Sequence, residues 1–233
     1  MSDEGFAPLE GIKVIELGDG LAGSICGRML ADLGADVIKV ERPPHGDGAR
    51  AATELDRNKR GIAVDLTRPE GLTLARRLLR AADVAIDGWP PGTLEGFGLG
   101  YEGVRPHNPG LVWCEPSPRR IDDSPATGDQ DGSAAAETSA ADTTAGILAA
   151  TGTLAAILHR LLTGDGQRVE IETSAALLAP ASASPLKLSG SPTATGRAAP
   201  ALGEHTREVL LENGYTDDGV AELRNAGVVH CSG

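Results

Sequence analysis

The sequence predicts an α/β protein built on a doubly wound, mostly parallel sheet. Three observations carry that prediction. β-Branched or apolar runs alternate with helical segments over the first half of the chain. A Gly-rich turn, residues 18–23 (GDGLAG), joins the first such run to the first helical segment. The composition is 40% apolar but only 3% aromatic, with 31 glycines, which suits small-residue helices packed closely on a sheet better than an aromatic-lined cavity.

The elements follow in order. Ile12, Val14, Ile15 and Leu17 form the first strand; Ile25, Met29, Leu30 and Leu33 recur at helical spacing. Gly34 stops that helix, and Val37, Ile38 and Val40 make the second strand. Two strands separated by a helix are most simply parallel neighbours joined by a right-handed crossover. Arg60–Leu66 reads as the third strand. Thr67–Ala82 reads as a helix, with Thr67 as N-cap and Glu70 completing a capping box. Ala82–Asp87 is the fourth strand, broken by Trp89-Pro90-Pro91-Gly92 and followed by a short helix to about Gly96. After the turn Asn108-Pro109-Gly110 comes a fifth strand, Leu111–Glu115.

The character then changes. From Ile121 to Asp142 the chain carries Asp122, Asp123, Asp129, Asp131, Glu137 and Asp142 without a Lys or Arg, which predicts a solvated loop. Thr143–Leu162 is an Ala-rich helix, apolar on most faces, and so expected to be buried, against another subunit if this chain cannot cover it. Gln167–Thr173 is a further strand. Ala179–Gly203, rich in Pro, Ser, Ala and Gly, reads as a linker, and helical pieces follow at 204–212 and 217–226.

At 233 residues the chain supports one core, or a core with an appendage. A net charge of −12 argues against nucleic acid or an anionic membrane as main partner. It leaves room for a local Arg/Lys cluster holding a polyanionic ligand. Cys26, Cys114 and Cys231 form no C-x-x-C pair, so neither a disulfide framework nor a zinc site is expected, and Cys26 reads as a small buried hydrophobe. No apolar run reads as long enough to span a membrane, and the start of the chain lacks a signal pattern; a cytoplasmic location is the expectation. No G-x-S-x-G marks a serine hydrolase.

Gly18, Gly20 and Gly23 satisfy G-x-G-x-x-G, and Glu41 ends the second strand, where a dinucleotide-binding protein places its ribose-binding acid. Asp19 between the first two glycines would set a carboxylate beside a pyrophosphate. The alternative is that these glycines only permit a tight strand-to-helix turn.

Longer motifs are more specific. Pro8–Leu17 (PLEGIKVIEL), Leu30–Pro43 (LADLGADVIKVERP), Asn58–Gly61 (NKRG) with Val64-Asp65-Leu66, Gly98–Glu102 (GLGYE), Asn108-Pro109, Thr163–Val169 (TGDGQRV) and Leu202–Thr206 (LGEHT) stand in the order of one family. In these runs the chain resembles the class III CoA-transferases, the family of formyl-CoA and carnitinyl-CoA transferases and related acyl-CoA racemases. The likeness covers most of residues 8–178 and again about 200–229.

The resemblance implies a Rossmann-like large domain over 1–178, with the acidic loop 117–141 inside it, then a linker at 179–203 and a C-terminal helical segment at 204–233. It implies coenzyme A as substrate or ligand, and no metal. Basic groups after the second and third strands hold the CoA phosphates in that family; Arg42 and the pair Lys59-Arg60 match those places, and Trp89 matches an aromatic position beside CoA. The family's transferases use one Asp as nucleophile on the thioester, and the racemases use the matching Asp in proton transfer. Counting back from Gly152 and His159-Arg160, that residue is Asp142. Independently of the family, Asp142 precedes Thr143-Thr144 and an apolar helix, the position of an N-cap, where backbone N–H groups would lower its pKa.

The chain also departs from the pattern. Family members are longer and carry a small domain between the strand near Ile171 and the Leu-Gly-Glu-His motif, and their site lies between domains of two subunits. Gly96 stands where the family brings an Arg towards the phosphates, and the acidic stretch replaces an ordered loop that holds a racemase His. Of the histidines, His45 is the best placed to stand in. Three readings follow: a minimal CoA-transferase acting on an acyl-CoA, a degenerate CoA-binding or structural partner protein, or a repurposed enzyme with racemase- or cyclase-like proton transfer. The family reading expects a homodimer, or a partner chain supplying the missing domain.

Overall fold

The computed structural model describes residues 7–18, 20–43, 54–116, 133–171, 186–191 and 199–231. Asp19, His45 and residues 117–132 of the acidic stretch lie outside the described residues. The chain forms two units, Met1–Thr193 and Ala194–Gly233.

The first unit is a seven-stranded sheet in the order β3-β2-β1-β4-β5-β6-β7. Its strands are β1 (Lys13–Leu17), β2 (Asp36–Glu41), β3 (Lys59–Ala63), β4 (Val84–Asp87), β5 (Val112–Glu115), β6 (Arg168–Ile171) and β7 (Leu186–Leu188). All pairs are parallel except β6–β7. The helices are α1 (Leu21–Asp32), α2 (Pro69–Arg80), α3 (Thr93–Gly96), α4 (Tyr101–Val104) and α5 (Ser133–Thr163). β1 pairs with β2 on one side (Leu17 opposite Val40) and β4 on the other (Leu17 opposite Asp87). The strand order therefore reverses at β1, and the crevice beyond the C-terminal ends of β1 and β4 is the topological switch point where such sheets take ligands.

Strand alternation decides which side chain meets which helix layer. Val14, Val37, Val84, Ile86, Val112, Cys114, Val169 and Ile171 face one way and pack with Ala22, Cys26 and Leu30 of α1 and Ala145, Ala149, Ala150 and Ile157 of α5. Ile15, Leu17, Val40, Ala85 and Trp113 face the other way, against Ala75 and Leu79 of α2 and Leu94, Leu99, Tyr101 and Val104. Both faces are covered, as an all-parallel core requires. Cys26 is buried as expected.

Four expectations need correction. First, α5 begins at Ser133, so residues 133–141 are helix rather than loop, and Asp142 lies inside α5 and not at its N-cap. The run Ala134-Ala135-Ala136 and Ala140-Ala141 has the highest helix propensity, which outweighs the local acidity. Second, Leu186–Leu188, within the stretch read as linker, adds to the sheet as antiparallel β7. Third, Thr67 does not cap α2: its N–H and hydroxyl both donate to Asp65 Oδ1 (2.9 and 2.6 Å), and Arg68 is the N-cap, followed by Pro69. Fourth, Ala140–Thr163 is long and apolar enough to cross a membrane by length and composition alone. Its apolar character serves packing, because Ala145, Ala149, Ala150, Ala156 and Ile157 are buried in the core.

In the second unit, α6 (Thr206–Glu212) and α7 (Asp217–Asn225) occupy the predicted positions. Thr216 caps α7, its Oγ1 accepting from the Gly219 N–H at 3.2 Å.

Candidate functional site

Three strand ends converge at the switch point. Gly18 follows β1 with φ +98°, a left-handed conformation open to glycine. A Cβ there would overlap the Trp89 ring. A Cβ on Gly20 would stand 2.6 Å from the Gly88 carbonyl oxygen, and one on Gly23 3.3 Å from Gly88 Cα. The G-x-G-x-x-G glycines thus admit the Gly88-Trp89 segment leaving β4, and the close approach they allow is taken by protein backbone and indole. Of the two readings of this motif, the tight turn is the one the structure bears out. Glu41 likewise faces inward to an ion pair with Lys39 (3.8 Å).

Trp89 is the hub of the crevice. The guanidinium of Arg42, just after β2, lies 4.0 Å from the centre of its ring, a cation–π stack. Phe97 meets the indole edge-on at 6.5 Å. The Trp89 backbone N–H donates to Asp87 Oδ1 at 3.1 Å. Burial pushes the Asp87 carboxyl up to about 7, opposed by that N–H and reinforced by Glu115 and Glu95. Glu115 itself is clamped by Arg168 through Nε (2.9 Å) and Nη2 (2.7 Å), and accepts from Trp113 Nε1 at 3.0 Å.

Beneath the crevice, between β1, β2 and α1, lies a buried charge network. Glu16, Lys39 and Ser24 are each no more than 2% exposed. Lys59 Nζ reaches Glu16 Oε2 (2.7 Å) and the Ser24 carbonyl (2.9 Å), while Lys39 Nζ pairs with Asp56 (2.5 Å) and lies 3.7 Å from Glu16 Oε1. Gly27 of α1 leaves the room, since a Cβ there would collide with the Glu16 carboxylate. Burial raises the Glu16 pKa and lowers that of Lys59, each favouring its neutral form against the attraction of the other.

The predicted site residues divide accordingly. Arg42 and Trp89 are in contact at the switch point. Lys59 and Arg60 open β3, beside Val37 and Ile38 near the start of β2. Lys59 is committed to the buried network, and Arg60 is exposed and bidentate to Asp36 (2.8 and 2.6 Å). Asp142 is half-buried on α5, one turn before Gly146. Gly146 is pressed on Ala22 and Ile25 near the start of α1, so Asp142 lies towards the same edge of the sheet as Arg42 and Trp89. Sequence reasoning missed Asp87 and the Glu16–Lys39–Ser24 group. The available signal was one charged residue inside each apolar run, Glu16 among the apolar residues of β1 and Lys39 between Ile38 and Val40 of β2.

This arrangement defines a doubly wound α/β protein with an Arg–Trp platform at its switch point. The chain belongs to CoA-transferase family III, whose family model matches residues 9–117 and 124–183. It is 36% identical over 201 residues to the succinate–glutarate CoA-transferase of Agrobacterium fabrum, covering 70% of this chain and 50% of that protein. It is 33% identical over 202 residues to an Escherichia coli formyl-CoA:oxalate CoA-transferase, covering 73% and 49%. Among solved structures it matches a CAIB/BAIF family protein of Brucella suis with a TM-score of 0.56 and 32% identity, over 70% of this chain and 52% of that one. The chain thus spans about half the length of these relatives.

Proposed function

We propose that this protein binds acyl-CoA thioesters at the switch-point crevice and moves CoA to a carboxylic acid acceptor through Asp142. The observation that carries the reading is the Arg42–Trp89 stack. Arg42 is exposed and, among the described residues, makes no ion pair. Its fork is free for a phosphate, which guanidinium holds in a bidentate grip, while the indole backs it and fixes its plane. The relatives' names pair CoA with small carboxylic acids, which supports this class of acceptor.

In this reading the Asp142 carboxylate attacks the thioester carbonyl. The C–S bond breaks, CoA leaves as thiolate, and a mixed anhydride remains. The thiolate then attacks the aspartyl carbonyl, expels the donor acid as carboxylate and leaves an aspartyl-CoA thioester; the acceptor carboxylate runs the two steps in reverse. An anhydride needs a dry site. The reading therefore takes the protein to work as a homodimer, or with a partner chain that covers the crevice.

The test is a pair of variants. Arg42→Ala should weaken CoA binding about tenfold, the worth of one charge-assisted contact, read by calorimetric titration. Asp142→Asn should leave CoA affinity in place and remove turnover and hydroxylamine-trappable acyl-enzyme. An unchanged rate in Asp142→Asn would end the nucleophile assignment. A second reading, CoA binding without catalysis, has one observation in its favour: Asp142 sits in the interior of α5, away from the free N–H groups of a helix start. It predicts wild-type protein that binds CoA and forms no acyl-enzyme.

A further inference from the structure

A second basic site lies on the opposite face of the sheet from the buried charge network. An open crevice of about 50 Å³ between α2 and the α4 segment is lined by Arg76, Arg80, Gly98, Gly103, Val104 and His107. In a chain of net charge −12, three of those six residues are basic side chains and none is acidic. Arg76 and Arg80 are one turn apart on α2, a like-charge spacing that disfavours a helix unless an anion answers it. The helix dipole accounts for a cation in the last turn, but not for an imidazole of the 3₁₀ turn Arg105–His107 lining the same crevice.

The hydrogen bonding leaves these groups available. Arg76 Nη2 makes one long contact, to the Phe97 carbonyl at 3.4 Å. Among the described residues, neither Arg80 nor His107 forms an ion pair. The floor is bare backbone. Gly98 has φ +64°, and a Cβ on it would stand 3.6 Å from Arg76 Nη2, while one on Gly103 would stand 3.1 Å from the Gly98 carbonyl oxygen.

We infer that the Arg76–Arg80–His107 crevice is an anion site for a phosphate dianion, free or carried as a phosphomonoester. Two guanidinium forks match the charge of the dianion and supply paired N–H donors. The imidazole N–H supplies a third donor. The site does not depend on the CoA reading, because it uses no residue of the Arg42–Trp89 platform.

The test is a titration with inorganic phosphate at constant ionic strength, followed by the His107 imidazole Cε1 resonance. A saturating shift of His107, with His159, His205 and His230 unmoved, is expected. Arg80→Gln and Arg76→Gln should each weaken the apparent affinity at least tenfold while leaving the far-UV spectrum and melting temperature in place, since both side chains are exposed. A parallel titration with CoA in the Arg42→Ala protein separates the sources: a His107 shift there marks a phosphate carried on a nucleotide, and a shift with inorganic phosphate alone marks the free ion. A linear, non-saturating response, or an affinity unmoved by either Gln variant, overturns the inference.

Discussion

At the scale of single residues, Asp87 couples the site to pH. Its carboxyl titrates near 7 in the folded protein against 3.8 when exposed, chiefly because it is buried. A raised carboxyl pKa means that the folded state holds the proton more tightly than the unfolded chain does. The stability this contributes is complete below about pH 4, declines as the pH rises towards 7, and is gone above it. Asp87→Asn keeps an oxygen to accept the Trp89 N–H and cannot ionise. Urea unfolding at pH 5 and pH 8 should therefore show the wild type losing stability across that interval, with a limiting slope of about 1.4 kcal/mol per pH unit, and the variant losing distinctly less. Equal losses would place the Asp87 titration outside the interval. Glu16, also raised by burial, adds to the wild-type slope with the same sign and is unaltered in the variant. The residue scale is also where the sequence was least legible. Arg42 and Trp89 could be singled out, but the stacking of one on the other depends on Gly18 and Gly88 bringing two distant strand ends together, and no local pattern encodes that. Nor does a Lys beside an Arg give any sign of which one the sheet turns inward, here Lys59 towards Glu16.

At the scale of elements, α5 packs on α1 and on β5, β6 and β7 and carries the proposed nucleophile. Gly146 lets it lie against α1, where a Cβ would come within 2.7 Å of Ile25 Cβ and 2.8 Å of the Ala22 carbonyl oxygen. Gly152 does the same over Val169 and Leu186 of β6 and β7. Gly146→Leu should cost about 3 kcal/mol or more, since the obstacle is partly backbone and cannot repack, and should lower any Asp142-dependent activity along with stability. Differential scanning calorimetry checks the first part, and an unchanged transition would mean that α5 is free to shift on α1. The parallel strands were legible because runs buried on both faces read as continuous Val/Ile segments, and the crossover helices were legible from their spacing. The first two turns of α5 were not, because acidic residues suggest solvent while the alanines between them favour helix. β7 was not legible because three residues, Leu-Lys-Leu, fall below any periodicity and are fixed by pairing with β6. The capping box at Thr67 and Glu70 failed because an Asp two residues earlier competes for the same hydroxyl.

At the scale of the whole molecule, the longest helix of the first unit buries one side in the core and exposes large apolar residues on another. Leu158, Leu161 and Leu162 of α5 are 58%, 74% and 79% exposed, and Ile147 is 46% exposed. Leu158 is three and four residues from Leu161 and Leu162, and Ile147 lies three turns earlier on the same side of the helix, the pattern of a surface that meets another. The proposed homodimer predicts sedimentation at twice 23.9 kDa at micromolar concentration, falling to the monomer mass in Leu158→Glu/Leu161→Glu. A wild-type protein that sediments only as monomer would remove the homodimer from the proposal and leave a separate covering chain. The two rims of the sheet bear on where such contacts can form. β3 carries the exposed Arg60, and β7 is three residues long with Lys187 exposed at its middle. Short or charged outer strands resist the addition of a foreign strand. Growth by edge-to-edge stacking into fibres is thereby discouraged, and copies that do meet are steered to join through side-chain contacts between helices.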